Sequence, residues 1–384
     1  MNKEINIKNY EFLFKVYKEY YFKNIEILQP PKEIQSREFG IMTFDSKVIR
    51  HLSFSNIGKL KAYVVQNVPS DIYCSNAYYQ FPTFPINEKG WKGADMIFDI
   101  DLKDLLLPCQ KEHTFYICST CGIIYKDFTK ICNQCKGIKI IQNTIPCNKC
   151  IRFLKKETNN LIGFLIKDFG IKEQNIEVSF SGNTGFHIIV FDEDFLLLDS
   201  RCRSDIVGYL MGKNLSLESL GIRNNKQGYK IKIPLSGYSY GWRKRIAQKI
   251  KISEISNDKL NKLIKKIGGY EAFKIEIDKL VFEIGIKIDP QVTTDIHRIF
   301  RMVGSLNSKS GLSKIKCQNL DKFDPLNDSC FFLDNRDIDI SIKTSLKFNF
   351  KGKTYLLDKS TATVPLSVAV YLISKKIANV VKYS

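Results

Sequence analysis

Two carboxylates two residues apart are the first chemistry in this chain, in Ile97-Phe98-Asp99-Ile100-Asp101, which reads as a short apolar strand. Strand side chains alternate faces, so Asp99 and Asp101 share one face while Phe98 and Ile100 turn into a core. Side by side, the two anions repel, and one pKa rises unless a cation lies between them. Magnesium or manganese meets that need, because such ions take oxygen ligands and complete their shell with phosphate oxygens. Alone, Asp-x-Asp would equally suit an edge strand with a solvated acidic face.

A second chemistry follows at once. Cys109, His113, Cys118, Cys121, Cys132, Cys135, Cys147 and Cys150 are eight candidate ligands, enough for two tetrahedral zinc sites. Cys118-x2-Cys121-x10-Cys132-x2-Cys135 has the form of a zinc ribbon over 118–135, with two knuckles on a hairpin. Cys109, His113, Cys147 and Cys150 then close an outer site around it. Nested closure brings neighbouring ends together without threading, although a scrambled pairing would use the same ligands. Four protein ligands per ion mean structural zinc, since a catalytic ion keeps an open position. Metal-free core cysteines are the other reading, and CxxC pairs in so polar a segment speak against it. Cys74, Cys202, Cys317 and Cys330 lie far apart, which favours buried thiols over an iron–sulfur cluster.

Ser181-Gly182-Asn183-Thr184-Gly185-Phe186-His187 brings a hydroxyl, backbone N–H groups and an imidazole into a tight turn. Such a turn can cradle phosphate; a plain hairpin with a buried histidine is the alternative. Farther on, Asp289 ends an apolar run, Arg298 and Arg301 follow, and Ser305–Leu312 forms a polar loop with Asn307 and Lys309. Acids for cations, with guanidinium and ammonium for phosphate oxygens, are what a metal–triphosphate site requires.

The elements that must position these groups come from 384 residues, 44% hydrophobic and 12% aromatic, enough for one large or two modest domains with a real core. The net charge of +19 points to an anionic partner, nucleic acid first, although a lysine-rich composition can also arise with no ligand behind it. No apolar run approaches the ~20 residues of a membrane span, and Met1–Tyr10 has no signal-peptide core, so no membrane association is expected. A cytosolic or nuclear protein follows, and a reducing compartment favours metal over disulfides.

Apolar spacing predicts a helix over 10–22, strands over 36–40 and 48–54 with a turn at Asp45-Ser46, and strand-like runs at 62–65 and 78–81. The first two strands carry Arg37, Glu38 and Arg50, which without further context would be surface salt bridges. A helix over 151–169, strands over 174–180 and 188–191, a strand over 284–288 and an apolar helix over 364–381 complete the pattern. Residues 196–280 are helix-rich and basic, interrupted by Gly237–Trp242 before Arg243-Lys244-Arg245. They read as an inserted helical subdomain that either touches a nucleic-acid backbone or presents a solvated face.

Taken together, Phe98-Asp99-Ile100-Asp101, the Cys/His cluster after it, Ser181-Gly182-x-x-Gly185-x-His187 and Asp289…Arg298…Arg301…Ser305…Lys309-Ser310-Gly311 resemble the small, catalytic subunit of archaeal and eukaryotic DNA primase. The order and spacing match over nearly the whole chain. The archaeal form is the nearer, with Val364–Tyr371 resembling its closing helix. The resemblance implies an α+β fold: a mixed or antiparallel β-sheet catalytic core flanked by helices, with a zinc-binding insertion and a helical subdomain. The core would comprise 1–108, 151–195 and 281–384, the zinc module 109–150 and the helical subdomain 196–280.

The same resemblance implies a polymerase using two magnesium or manganese ions to make short primers on single-stranded DNA from nucleoside triphosphates. Asp99, Asp101 and Asp289 would be its carboxylate triad. Ser181, Gly182, His187, Arg298, Arg301, Asn307 and Lys309 would serve the triphosphate, and Arg37, Glu38 and Arg50 the nucleotide-site strands. Cys109, His113, Cys147 and Cys150 match the family's zinc site, which makes the inner ribbon an elaboration. The implied partner is a large subunit with an iron–sulfur domain, in a heterodimer. The implied place is the archaeal cytoplasm with the nucleoid, or a nucleus if the source is eukaryotic. Thr184 stands where many relatives carry Arg, and Asn307 where they carry His. Weaker triphosphate binding is therefore expected unless Lys309 and Arg298 compensate. Two alternatives are a primase-polymerase of a plasmid or repair system, extending existing ends, and a non-catalytic zinc-ribbon nucleic-acid-binding protein.

Overall fold

The Asp99 strand takes the form its alternation dictates. In the computed structural model, which describes residues 2–225, 228–231, 236–250, 256–333 and 336–382, it spans Met96–Asp101. It pairs antiparallel with Gly185–Val190, placing His187 opposite Asp99 and Gly185 opposite Asp101. Ile176–Phe180 and Ile315–Lys316 complete a four-stranded sheet. A second four-stranded sheet orders Ile299–Arg301, Asp71–Ser75, Phe39–Met42 and Val48–Leu52, again antiparallel.

The two sheets meet through Ile97, Ile189, Val292 and Phe300. Ile97 lies on the same face as Asp99 and Asp101, so that face is apolar and covered at one end and acidic at the other. On the opposite face Phe98 and Ile100 are fully buried. The helix Asn148–Phe169 packs against the same two strands and buries Cys150, Leu154, Leu161 and Leu165, spaced three to four residues apart or in multiples of that.

Four sequence expectations need correction. Residues 62–65 are not a strand but part of the helix Ile57–Asn67, started by the Asn56 side chain accepting from the Lys59 N–H. Leu60 and Val64 are its buried face, and a four-residue apolar run cannot by itself distinguish the two periods. The N-terminal helix extends over Asn2–Asn24. Residues 285–288 join no sheet; Ile286 and Ile288 are buried, and Asp289 caps the short helix Pro290–Thr294. The expected closing helix covers only Leu366–Ser374, because the chain turns at Lys376 (φ 58°) into the strand Ala378–Lys382. That strand forms a sheet with Asp337–Ile342 and Thr361–Pro365.

Between 200 and 284 lie helices Ser200–Met211, Gly241–Lys249, Asn257–Ile267 and Tyr270–Ile284, with a hairpin of Ile222–Asn225 and Gly228–Ile231. Their apolar faces, including Leu210, Trp242 and Phe273, belong to the same core as Phe98 and Ile100. Arg203 ties this region to the root of the Asp99 strand: its fully buried guanidinium donates to the carbonyls of Ala94 and Asp95 at 2.6 and 3.2 Å. Among the described residues no helix is long and apolar enough to cross a membrane.

Candidate active site

The turn between Phe180 and Phe186 is what sets the acidic end of the sheet. Gly182 adopts φ +82°, and a Cβ there would lie 3.0 Å from the Leu312 carbonyl oxygen. At Gly185 a Cβ would lie 2.6 Å from the Ile100 oxygen, so both glycines are required by close approach. The Ser181 hydroxyl oxygen accepts from the N–H groups of Asn183 and Gly185 at 3.3 and 3.2 Å. Asn307 and Ser310 brace the turn from the facing loop by donating to the carbonyls of Ser181 and Gly182. Thr184 donates to Asp101 Oδ2 at 3.1 Å, so the residue standing in for an expected cation orients a carboxylate.

Burial pushes the Asp99 carboxyl up to about 8, with the Asp101 charge adding to the effect. Its Oδ1 has no hydrogen-bond partner and lies 3.6 Å from His187 Nε2. Burial also drives the His187 imidazole well below its ordinary range, helped by the charges of Lys314, Arg301 and Arg298. The histidine is therefore neutral at pH 7. Asp289 joins the pair because its N–H bonds the Asp99 carbonyl at 3.2 Å, with Lys103 Nζ 3.5 Å from its carboxylate. Asp99 and Asp101 line one cleft, while Asp289 is held beside the Asp99 strand and is not among the residues lining it, and the oxygens of the three do not form a group within 4.8 Å of one another.

The cleft, of about 650 Å³, is lined by Asp99, Asp101, Lys103, Thr184 and Lys309, among others. Lys309 is exposed. One residue behind the cleft wall that sequence reasoning passed over is Lys375, whose partners Asn183 and Thr144 line the cleft. Its fully buried ammonium donates to Asn183 Oδ1 at 2.6 Å and to the Thr144 carbonyl at 2.9 Å. Asn143 in turn donates to the Lys375 carbonyl at 2.6 Å. Burial lowers that ammonium to about 7, against the pull of Asp101. The only sequence signal is a Lys pair past the middle of the apolar helix expected over 364–381. Lys375→Met should loosen the turn without touching a carboxylate. With hydrogen bonds to a charged group worth about 1.5–3 kcal/mol, the KM for nucleotide is expected to rise on the order of tenfold with a smaller change in kcat. Steady-state kinetics beside Lys375→Arg checks it.

The remaining expected nucleotide residues divide. Arg37 is buried and engaged: it meets Asp95 at 2.7 Å, the carbonyls of Lys32, Ser75 and Asn76, and the Tyr78 ring. Glu38, fully buried, takes Arg50 Nε at 2.9 Å and Lys89 Nζ at 3.4 Å, and Arg50 stays partly exposed. Arg301 is fixed by Asp71 at 2.5 Å and by the Leu306 carbonyl. Burial by itself would raise Asp71, but Arg301 and the Ser308 N–H hold its carboxyl below the usual range. Arg298 is half-buried, and Asn307 is buried in the bracing loop. Removing one partner of a buried pair strands the other, so Arg37→Met is expected to cost about 3–5 kcal/mol, read by denaturant unfolding.

The cysteines fall into two groups. Sulfurs of Cys118, Cys121, Cys132 and Cys135 all lie within 4.8 Å of one another. Each knuckle closes through a left-handed residue, Gly122 (φ 75°) and Lys136 (φ 57°). The Cys135 N–H, with the Tyr125 hydroxyl, draws the Cys132 thiol down to about 6, as metal ligation favours. Cys109, Cys147 and Cys150 form the second group, but His113, the expected fourth ligand, is not within it. Cys147 also occupies the N-cap of Asn148–Phe169, which links this group to the Asp99 strand.

A family model for the DNA primase small subunit matches residues 142–315, which include the Ser181–His187 turn and Asp289. The DNA primase small subunit of Nitrosopumilus maritimus is 39% identical over 379 residues, covering 98% of this chain and 100% of that protein. Those of Cenarchaeum symbiosum and Archaeoglobus fulgidus are 35% and 30% identical, covering 97% and 95% of this chain and 99% and 96% of theirs. With a relative this similar along its full length and the Asp99–His187 register in place, the chain belongs to the DNA primase small subunit family.

Proposed function

We propose that this chain is the catalytic subunit of a DNA primase, joining nucleoside triphosphates into short primers on single-stranded DNA. The observation that carries the reading is the register that sets His187 opposite Asp99 and Gly185 opposite Asp101, with Asp289 bonded to the same strand. Asp99, Asp101 and Asp289 would hold magnesium or manganese; the donors are all carboxylate oxygens, and the buried Asp99 Oδ1 has no protein partner. Two bound ions would supply charge for a 3′-hydroxyl nucleophile and a departing pyrophosphate.

The chain's own groups bind and orient. Ser181 already accepts two N–H bonds, leaving its O–H to donate to a phosphate oxygen, and neutral His187 adds an uncharged contact. Arg298 and Lys309 would meet the triphosphate, with Arg301 and Asn307 holding the loop that presents Lys309. Arg50, positioned by Glu38, would face the nucleotide, and Arg37 would hold the strand from within through Asp95. The two cysteine groups would hold structural zinc, with His113 completing the outer set by a change of side-chain position. A large subunit bearing an iron–sulfur domain would supply the second nucleotide's grip, in the cytoplasm with the nucleoid.

The test is incorporation of labelled nucleotide on primerless single-stranded DNA with magnesium or manganese, with and without that subunit. Primer synthesis that rises when the subunit is added supports the reading. Extension of added primers with no initiation under either condition favours a primase-polymerase, and binding without incorporation overturns it.

A further inference from the structure

The catalytic cleft does not end at Lys309. A second cavity of about 720 Å³ adjoins it, and Leu13, Phe44, Ser308, Ser374 and Lys376 line both, so the two form one trough. Its far wall is the inner ribbon from Ile117 to Ile124, including the Ser119 and Thr120 hydroxyls. The near wall brings Ser341, Lys343, Lys359 and Lys376. Among the described residues no Asp or Glu lines this second cavity, in contrast to the acidic end of the cleft, although Cys118 and Cys121 of the inner cysteine group do line it.

Ammonium groups gather here against their own repulsion. Burial lowers Lys343, and the charge of Lys376 lowers it further. Burial lowers Lys376 as well, with Lys139 and Lys309 adding. Lys343 Nζ donates to the Lys376 carbonyl at 3.1 Å and lies 3.8 Å from where a Cβ on Gly122 would stand, at the tip of a ribbon knuckle. Like charges collected around a hydroxyl-lined trough are unfavourable to the fold and favourable to a polyanion. Both cavities have the size of a ligand site.

We propose that the trough between the inner ribbon and the Lys343–Lys376 edge is a second phosphate-binding site, taking the phosphates of the nucleic-acid strand that passes through the Asp99–Asp101 cleft. This identification of the strand rests on the primase reading. The anion is either the phosphodiesters of that strand or a triphosphate at its 5′ end, and both present the same oxygens to Lys343 and Lys359. On this assignment the inner ribbon is a wall of the strand path, and Cys118, Cys121, Cys132 and Cys135 would keep that wall in shape by holding a zinc ion.

The experiment measures binding of fluorescently labelled single-stranded oligonucleotides, with either a 5′-hydroxyl or a 5′-triphosphate end, by the full chain over a range of salt. Lys343→Ala/Lys359→Ala is expected to weaken binding several-fold and to reduce the slope of log K against log salt by roughly 1.4, at about 0.7 per single-strand phosphate contact. Lys172→Ala/Lys213→Ala, which removes the same charge from exposed positions elsewhere, should leave the slope near wild type. Lys359→Glu, at an exposed side chain, is the second variant in case truncating Lys343 disturbs folding. Loss confined to the 5′-triphosphate oligonucleotide assigns the trough to the initiating end, and equal loss assigns it to phosphodiesters. A slope unchanged in the trough variants, or reduced equally in both double variants, overturns the site. Nucleotide incorporation by the wild type is measured in the same preparation. Its absence would count against the catalytic reading while the binding comparison still decides the trough.

Discussion

Asp101→Asn is expected to lower nucleotide incorporation on the order of a thousand-fold or more. A bound ion supplies several kcal/mol of charge stabilisation, and each ~1.4 kcal/mol is tenfold in rate. The substitution is chosen to spare the fold. Asp101 Oδ1 accepts from the Lys103 N–H at 3.0 Å and from Thr184 at 3.3 Å, and an Asn side-chain oxygen in that place can keep both bonds. Relieving the repulsion on Asp99 should, if anything, stabilise the metal-free protein, because Asp101 is the largest charge raising that carboxyl. Stability held or increased while incorporation vanishes is thus the signature of a ligand rather than a structural acid. Asp289→Asn should behave alike, since its N–H is bonded to the Asp99 carbonyl across 190 residues of sequence. Incorporation within a few-fold of wild type in either variant would remove that carboxylate from the site.

The parts of this site legible in sequence are those fixed by short-range geometry. Period two puts Asp99 and Asp101 on one face, and the Gly-bounded turn at 181–185 forces the hairpin that follows. That Gly185–Val190 lies beside Met96–Asp101 was not legible, because register between distant strands leaves no local pattern, yet it is what brings His187 to Asp99. Residues 62–65 were misread because Leu60 and Val64 serve a helix whose start depends on one Asn56 hydrogen bond. The segment 284–288 reads as a strand because Ile286 and Ile288 are buried, but its Ile286 N–H bonds the Leu210 carbonyl of a helix, and among the described residues it joins no ladder. Charged residues hid best. Arg37 and Lys375 carry the composition of a surface and lie fully inside, where Asp95 and a few carbonyls decide their place. The family resemblance makes Arg37 an expectation at the nucleotide strands; the packing shows its guanidinium facing Asp95.

Metal content should separate the two cysteine groups by consequence. Purified protein is expected to carry two zinc ions, because two sets of converging thiolates are present and each has the knuckle spacing or the capped-helix geometry that favours ligation. Cys132→Ser removes a ligand from the inner ribbon, whose sheet is only Thr114–Cys118, Ile124–Tyr125 and Ile140–Thr144. One zinc should be lost, with the catalytic sheet intact. Cys147→Ser is expected to be far more damaging. It opens the outer group at the N-terminus of the helix that packs beneath the Asp99 strand, and the apparent binding energy of structural zinc, about 10–16 kcal/mol, is drawn on by folding. His113→Ala tests the fourth position: three thiolates remain, so zinc should still bind, but the outer ion should be the first lost to a chelator. Elemental analysis with a graded chelator titration, followed by thermal unfolding, reads all three variants. Two zinc ions retained in Cys132→Ser, or an unfolding midpoint for Cys147→Ser equal to that of Cys132→Ser, would show that the inner ribbon is not a separate metal site or that the outer one does not anchor the helix.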